Sequence, residues 1–140
     1  NPIETTARLR EIIMPLAPKK RENKFLAQVF QALRIEVNQE LDALREFLAQ
    51  CSDCLKPGGR LVVISYHSLE DRLVKYYMRA GNFSGEIIKD FYGHPITPFR
   101  PAGKALSPAS DETALNPRVR SARLRVAIRQ LMPEEKKYVS

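Results

Sequence analysis

Apolar residues recur at helical spacing over three stretches of this chain and fall into strand patterns over two more. From Thr5 to Met14, Leu9, Ile12 and Ile13 share one helical face. Thr5 or Thr6 suits the N-cap, and Pro15 stops the helix. Pro15 to Asn23 holds two prolines and the run Lys19-Lys20-Arg21, which reads as a loop or junction. From Phe25 to about Leu55 the pattern is helical again. Phe25, Val29, Leu33 and Val37 form one stripe, and Leu41, Leu44, Phe47 and Leu48 continue it. Such a stretch is long for one helix, so a break is expected between Arg34 and Asn38. Lys56-Pro57-Gly58-Gly59 stops the helix and turns the chain.

Arg60 to Ser65 follows as a strand. Its Leu-Val-Val-Ile run does not alternate, which predicts a central parallel strand covered on both faces. Leu69 to Arg79 is the next helix, with Ser68 as its expected N-cap and Glu70 and Asp71 in the first turn. Gly81 to Ser110 is rich in Pro and Gly and reads as a long loop, with one short strand between Thr97 and Leu106. Ser110-Asp111-Glu112 opens a brief helical turn. After Ser121 the chain alternates: Leu124, Val126 and Ile128 on one side, Arg123, Arg125 and Arg129 on the other. That predicts an antiparallel or edge strand with a basic outer face. The segment 133–140 is expected to fray. The order of elements suggests the second half of an open α/β sheet. A buried parallel strand needs neighbours on both edges, and few candidates are present, so the chain is expected to be a piece of a longer protein.

The 140 residues are 44% hydrophobic and 28% charged, an ordinary make-up for a globular domain. No run of about eighteen apolar residues occurs, so no membrane span is expected. The start lacks Met and lacks the basic and apolar regions of a signal peptide, and a cytoplasmic location is expected. A net charge of +7 favours a polyanionic partner. The placement sharpens this. From Arg100 to Arg129 there are seven basic residues and two acids, Asp111 and Glu112. Cys51 and Cys54 form a C-x-x-C. A structural zinc site needs four ligands, and His67 and His94 are not spaced as a second pair, so no metal site is expected. The two cysteines read as reduced thiols at a helix end.

The strongest site candidate is the polar cluster at the carboxyl end of the first strand: Ser65, His67, Ser68, Glu70, Asp71 and Arg72. Ligands of α/β proteins gather at such strand ends. A Ser-His-Asp hydrolase would use the same residue types, but here they crowd one turn without a nucleophile elbow. The structural alternative is that Ser68 caps the helix while His67 and Arg72 satisfy buried partners. Arg34, Asn38 and Glu40 share a helical surface. They read either as a wall of a cofactor or base pocket beneath the His67 turn, or as a polar clamp. Asn116, Arg118 and Arg120 sit in an acid-poor stretch and suit phosphate, which guanidinium forks bind bidentately. The alternative is a solvated basic edge. Six aromatic residues from Tyr76 to Phe99 gather around the long loop, and base stacking on one of them is conceivable.

Three segments together resemble the MraW/RsmH family of S-adenosylmethionine-dependent methyltransferases. They are Phe30-Gln31-Ala32-Leu33-Arg34-Ile35-Glu36-Val37-Asn38-Gln39-Glu40-Leu41, then Pro57-Gly58-Gly59-Arg60-Leu61 through Ser65-Tyr66-His67-Ser68-Leu69-Glu70-Asp71-Arg72, then Asn116-Pro117-Arg118-Val119-Arg120-Ser121-Ala122-Arg123-Leu124-Arg125. The family has Phe where this chain has Tyr66. The resemblance implies transfer of a methyl group to the exocyclic N4 of a cytosine in small-subunit ribosomal RNA. It implies an α/β fold, part of a class I, Rossmann-like methyltransferase sheet with flanking helices. The family's Gly-rich loop and ribose-binding acid lie upstream of these residues. The S-adenosylmethionine-binding N-terminal half is therefore absent, and the chain alone is expected to bind the cofactor poorly and to be inactive. Residues 1–22 correspond to the tail of an inserted helical domain and a junction, and 23–132 to the C-terminal part of the methyltransferase domain. On this reading His67, Ser65 and Ser68 are catalytic, and Arg34, Asn38, Arg72, Asn116, Arg118 and Arg120 bind substrate. The partner is ribosomal RNA in the small subunit, and a homodimer is left open. The rival reading is a basic RNA-binding or ribosome-associated module without catalysis.

Overall fold

The structure is a computed structural model that describes residues 2–133 and 135. It divides into two compact units, one ending at Glu40 and the other beginning at Leu41.

In the first unit, helix α1 spans Thr6–Ile13. Its N-cap is Thr5, whose hydroxyl accepts from the Arg8 N–H at 3.1 Å. A 3₁₀ turn over Met14–Leu16 carries Pro15 at its start. Helix α2 runs Glu22–Asn38, and helix α3, Glu40–Cys54, belongs to the second unit from Leu41 onward. The break between them is Gln39, which takes a left-handed φ of 51°. The interruption thus lies one residue past the interval expected from the sequence.

The second unit is a three-stranded sheet with helices packed on one face. Strand β1 is Arg60–Ser65, β2 is Phe99–Pro101 and β3 is Arg123–Arg129, in the order β1-β3-β2. Gly58 makes the turn into β1 at φ 85° and donates its N–H to the Arg129 carbonyl. Both pairings are antiparallel, with Leu61 opposite Ala127 and Arg100 opposite Ile128. This revises two expectations. The strand β1 is not a central parallel strand covered on both faces. It has one neighbour among the described residues, and its burial alternates, with Leu61 and Ser65 buried and Val62 and Ile64 more than half exposed. Strand β3 is antiparallel as expected, but it lies in the centre of the sheet and not at an edge.

Register explains which face is covered. Leu61, Ala127 and Phe99 come together with Leu48 and Cys51 of α3 and with Val74, Tyr77 and Met78 of α4, which spans Ser68–Ala80. Phe99, Leu48 and Ala127 have no solvent exposure at all. The arginines of β3 share this covered face, so the basic face expected to point outward is turned toward the helices. It survives there because its charges are answered. Arg125 meets Asp71 of α4, and Arg129, 5% exposed, donates to the Ser52 carbonyl at 2.8 Å and pairs with Glu135 at 2.7 Å.

Helix α4 ends at Gly81 in a left-handed conformation (φ 72°), its N–H donating to the Tyr77 carbonyl at 2.8 Å. A Cβ there would lie 2.5 Å from Cδ of Pro98. Gly81→Ala is therefore expected to lower stability by about 2 kcal/mol. Urea denaturation checks this, and an unchanged midpoint would contradict it. The loop beyond contains the expected short strand, β2, and the expected helical turn, α5 (Ser110–Leu115). Of the tail expected to fray, only Pro133 and Glu135 are described.

Candidate functional site

Strand β1 delivers its last residues to the start of α4, and the two faces of the strand part company there. Ser65 faces inward and is buried. Its Oγ lies 3.4 Å from Asp71 Oδ1 and 3.5 Å from the Arg123 carbonyl. Asp71 is held by Arg125 through two bonds, Nε to Oδ1 at 2.7 Å and Nη2 to Oδ2 at 2.9 Å. Those bonds, with the Arg125 charge, the Ser65 hydroxyl and nearby Arg123, pull the Asp71 carboxyl below its ordinary value, against the opposing effect of burial. Ser65, Asp71 and Arg125 thus form one network tying β1, α4 and β3 together.

His67, and not Ser68, is the N-cap of α4. Its Nδ1 accepts the Glu70 N–H at 3.4 Å, and Glu70 Oε2 accepts the Tyr66 N–H at 3.0 Å. This is a reciprocal arrangement of the capping-box kind, with imidazole in place of hydroxyl. Accepting at Nδ1 places the proton of the neutral ring on Nε2. Glu70 Oε1 lies 3.0 Å from Nε2 but off the N–H axis. No hydrogen bond closes there, and Nε2 has no hydrogen-bond partner among the described residues. The ring can therefore donate at Nε2, while its acceptor nitrogen is occupied. His67→Ala should cost about 1 kcal/mol through loss of the cap, and His67→Asn should recover most of it, because Asn is a good N-cap. Thermal unfolding of the two variants checks this, and equal losses would contradict it.

Ser68 opens the helix and Arg72 follows four residues later on the same exposed face. Neither side chain has a partner among the described residues. In the first unit, Arg34 pairs with Glu40 (Nε to Oε1 3.0 Å, Nη2 to Oε2 3.2 Å), and Asn38 donates to the same carboxylate at 3.1 Å. The three residues form a clamp across the break at Gln39. Asn116 caps a 3₁₀ turn, Pro117–Ser121, accepting the Arg118 N–H at 3.1 Å. That turn leaves Arg118 and Arg120 exposed, without side-chain partners among the described residues, and half-buries Val119 between them.

Val119 belongs to a pocket that the sequence did not reveal. It lies over the uncovered face of the sheet, where Ile64 and Leu124 meet Leu106, and its volume is about 280 Å³. Leu106 is fixed to Leu124 by reciprocal backbone bonds of 2.9 and 3.0 Å. Tyr66, Ser107 and Glu112 supply its polar groups. The only sequence signal was Val119, an apolar residue set between two arginines.

Cys51 is buried and Cys54 exposed, both free and in the last turn of α3. Burial raises the Cys51 thiol, with the Cys54 charge adding to it. Among the aromatic residues, Tyr77, Phe83 and Phe99 pack in or against the core, whereas Phe91 and Tyr92 stand exposed in a T-shaped pair. No helix among the described residues is long and apolar enough to cross a membrane.

The second unit thus joins a polar strand end on one face of the sheet to an apolar pocket on the other, with exposed Arg118 and Arg120 flanking Val119 of that pocket. Sequence comparison is more specific: residues 1–130 match the model of the MraW methylase family, and the chain belongs to that family. It is 59% identical over 130 residues to the ribosomal RNA small subunit methyltransferase H of Amoebophilus asiaticus, covering 92% of this chain and 42% of that protein. The proteins of the same name from Christiangramia forsetii and Flavobacterium johnsoniae are 56% and 54% identical over 127 and 126 residues, covering 91% and 90% of this chain. The chain spans about 42% of the length of these relatives.

Proposed function

We propose that this chain is the C-terminal, RNA-facing part of an enzyme that transfers a methyl group from S-adenosylmethionine to the N4 of a cytosine in small-subunit ribosomal RNA. Family membership supports the reaction class. The observation that supports the RNA-facing role is the 3₁₀ turn, which leaves Arg118 and Arg120 exposed and without side-chain partners among the described residues, on either side of Val119 in the pocket wall. Phosphate contacts position a protein on nucleic acid, and guanidinium forks suit them.

The residues present do not fit the cofactor by themselves. A cofactor cradle in an α/β methyltransferase calls for a Gly-rich turn at a strand's carboxyl end. Here β1 ends in Ser65-Tyr66-His67-Ser68, and Gly58 and Gly59 precede the strand. Within the chain, Ser65 and His67 act by position: Ser65 donates to Asp71, and His67 caps α4 with its Nε2 buried beside the Glu70 carboxylate. Ser68 and Arg72 offer an exposed hydroxyl and charge at the same helix start.

Filter binding of small-subunit ribosomal RNA to this chain tests the reading. The expected result is binding at low salt that weakens steeply as salt rises. Absence of binding at low salt, or binding indifferent to salt, would contradict it. Calorimetric titration of S-adenosylmethionine into the same chain is expected to give no heat.

A further inference from the structure

A second cavity, of about 140 Å³, lies between α4 and the loop that follows β2. Three cations line it: Lys75 and Arg79, about one helical turn apart on α4, and Arg125 of β3. No acid lines it among the described residues. The flanking segments are basic as well. Residues 72–80 carry Arg72, Lys75 and Arg79 without an acid, and residues 99–107 carry Arg100 and Lys104 without one. Met78 and Val126 add apolar surface to the wall. Apolar surface around charges keeps the local dielectric low and strengthens their pull on an ion of opposite sign.

The donors at this cavity are only partly used. Arg125 bonds Asp71 through Nε and Nη2 and forms no hydrogen bond at Nη1 among the described residues. Arg79 donates from Nη2 to the Gly85 carbonyl at 3.1 Å. Lys75 is exposed, with no side-chain partner among the described residues. The loop side is pinned to β3. Ala102 and Leu106 donate their N–H groups to the carbonyls of Val126 and Leu124 at 2.8 and 2.9 Å, and Gly103 turns the chain between them at φ 97°. Gly103 and Ala105 belong to the cavity wall, and their N–H groups have no acceptor among the described residues.

Unused donors from two elements, with no acid between them, match an anion. Size narrows the choice. The cavity has about half the smallest volume typical of sites for drug-sized ligands, about 300 Å³, and holds about five waters at their liquid share of about 30 Å³ each. A whole nucleotide is too large, and a single tetrahedral oxyanion fits. A phosphate carries close to two charges and at least three acceptor oxygens, so it can engage three side chains at once.

We propose that this cavity is a phosphate site, in which Lys75, Arg79 and the unused Nη1 of Arg125 hold the group against the loop at Gly103. The phosphate is either free inorganic phosphate or a phosphodiester of bound RNA. The site goes beyond the RNA reading and does not depend on it, since neither Arg118 nor Arg120 lines this cavity.

The test is NMR titration of this chain with inorganic phosphate at neutral pH, with chloride holding the ionic strength constant. The amide signals of Lys75, Gly103 and Ala105 should shift saturably with phosphate and stay in place with chloride alone. Lys75→Ala should weaken binding about tenfold, the loss expected for one hydrogen bond to a charged group, and Lys75→Glu should abolish it. Lys75 is exposed, so both variants should keep the remaining spectrum. Lys56→Ala removes the same charge elsewhere in the second unit and should change the affinity by less than about twofold. Absence of saturation, equal shifts in chloride, or unchanged affinity in Lys75→Ala would overturn the proposal. Adding small-subunit ribosomal RNA to the phosphate-loaded chain separates the two sources. Displacement of phosphate assigns the site to the RNA backbone, retention beside bound RNA assigns it to free phosphate, and both support it. If RNA fails to bind while phosphate saturates, the RNA reading falls and the phosphate site stands.

Discussion

Replacing Arg125 with methionine is expected to cost about 3 kcal/mol of folding free energy at neutral pH. Arg125 holds both oxygens of Asp71, and each side chain is only 21% exposed. Removing the guanidinium leaves a carboxylate in a partly buried site with only the Ser65 hydroxyl at 3.4 Å. The cost is mainly that uncompensated charge, so Asp71→Asn in the same background should recover much of it. The pH dependence gives a second readout. Asp71 has a folded pKa below its ordinary 3.8, so its stabilisation is fully present above that value and is lost as pH falls through the lowered one. In Arg125→Met the unpaired carboxyl is pushed the other way by burial. The two stability curves should therefore stand apart at neutral pH and converge in acid. Chemical denaturation across pH measures this, and parallel curves would show that the pair contributes packing alone.

Replacing Arg118 and Arg120 together with alanine is expected to reduce the dependence of RNA affinity on salt. Each phosphate contact contributes about 0.7 to 0.9 to the slope of log affinity against log salt, so two contacts remove about 1.4 to 1.8. At about 50 mM salt this corresponds to a loss near a hundredfold if counterion release supplies the whole effect. Both residues are exposed and have no side-chain partner among the described residues, so the fold should be unaffected. A control separates contact from net charge. Lys19→Ala with Lys20→Ala removes the same two charges from the first unit and should leave the slope nearly unchanged. Equal effects of the two double variants would mean that charge alone, and not the 3₁₀ turn, binds the RNA.

Much of the fold was legible because local patterns determine it. Thr5 caps α1 as its side chain allows, the break near Asn38 follows from the length of the helical stretch, and Thr97–Leu106 holds the short strand Phe99–Pro101. The errors share a physical origin. The unalternated run in β1 says that both faces tolerate apolar cover but is silent on strand direction. Direction is set by β3, nearly sixty residues away. The arginines of β3 read as outward because charge is rarely buried unless paired, and the partners Asp71 and Ser52 lie more than fifty residues off in sequence. Ser68 is a better intrinsic cap than His67, yet the cap went to the residue whose extended backbone, φ −139° and ψ 162°, precedes the first turn. The pocket was invisible because Ile64, Leu106 and Val119 meet only once β1 and β3 pair.

The nucleosides of the product distinguish methyl transfer to cytosine from every other outcome. Small-subunit ribosomal RNA would be incubated with the full-length protein and isotopically labelled S-adenosylmethionine, digested and analysed by mass spectrometry. Label is expected in N4-methylcytidine, and is expected to be lost when Arg118 and Arg120 are replaced by alanine. Label in another nucleoside, or none in RNA at all, would contradict it.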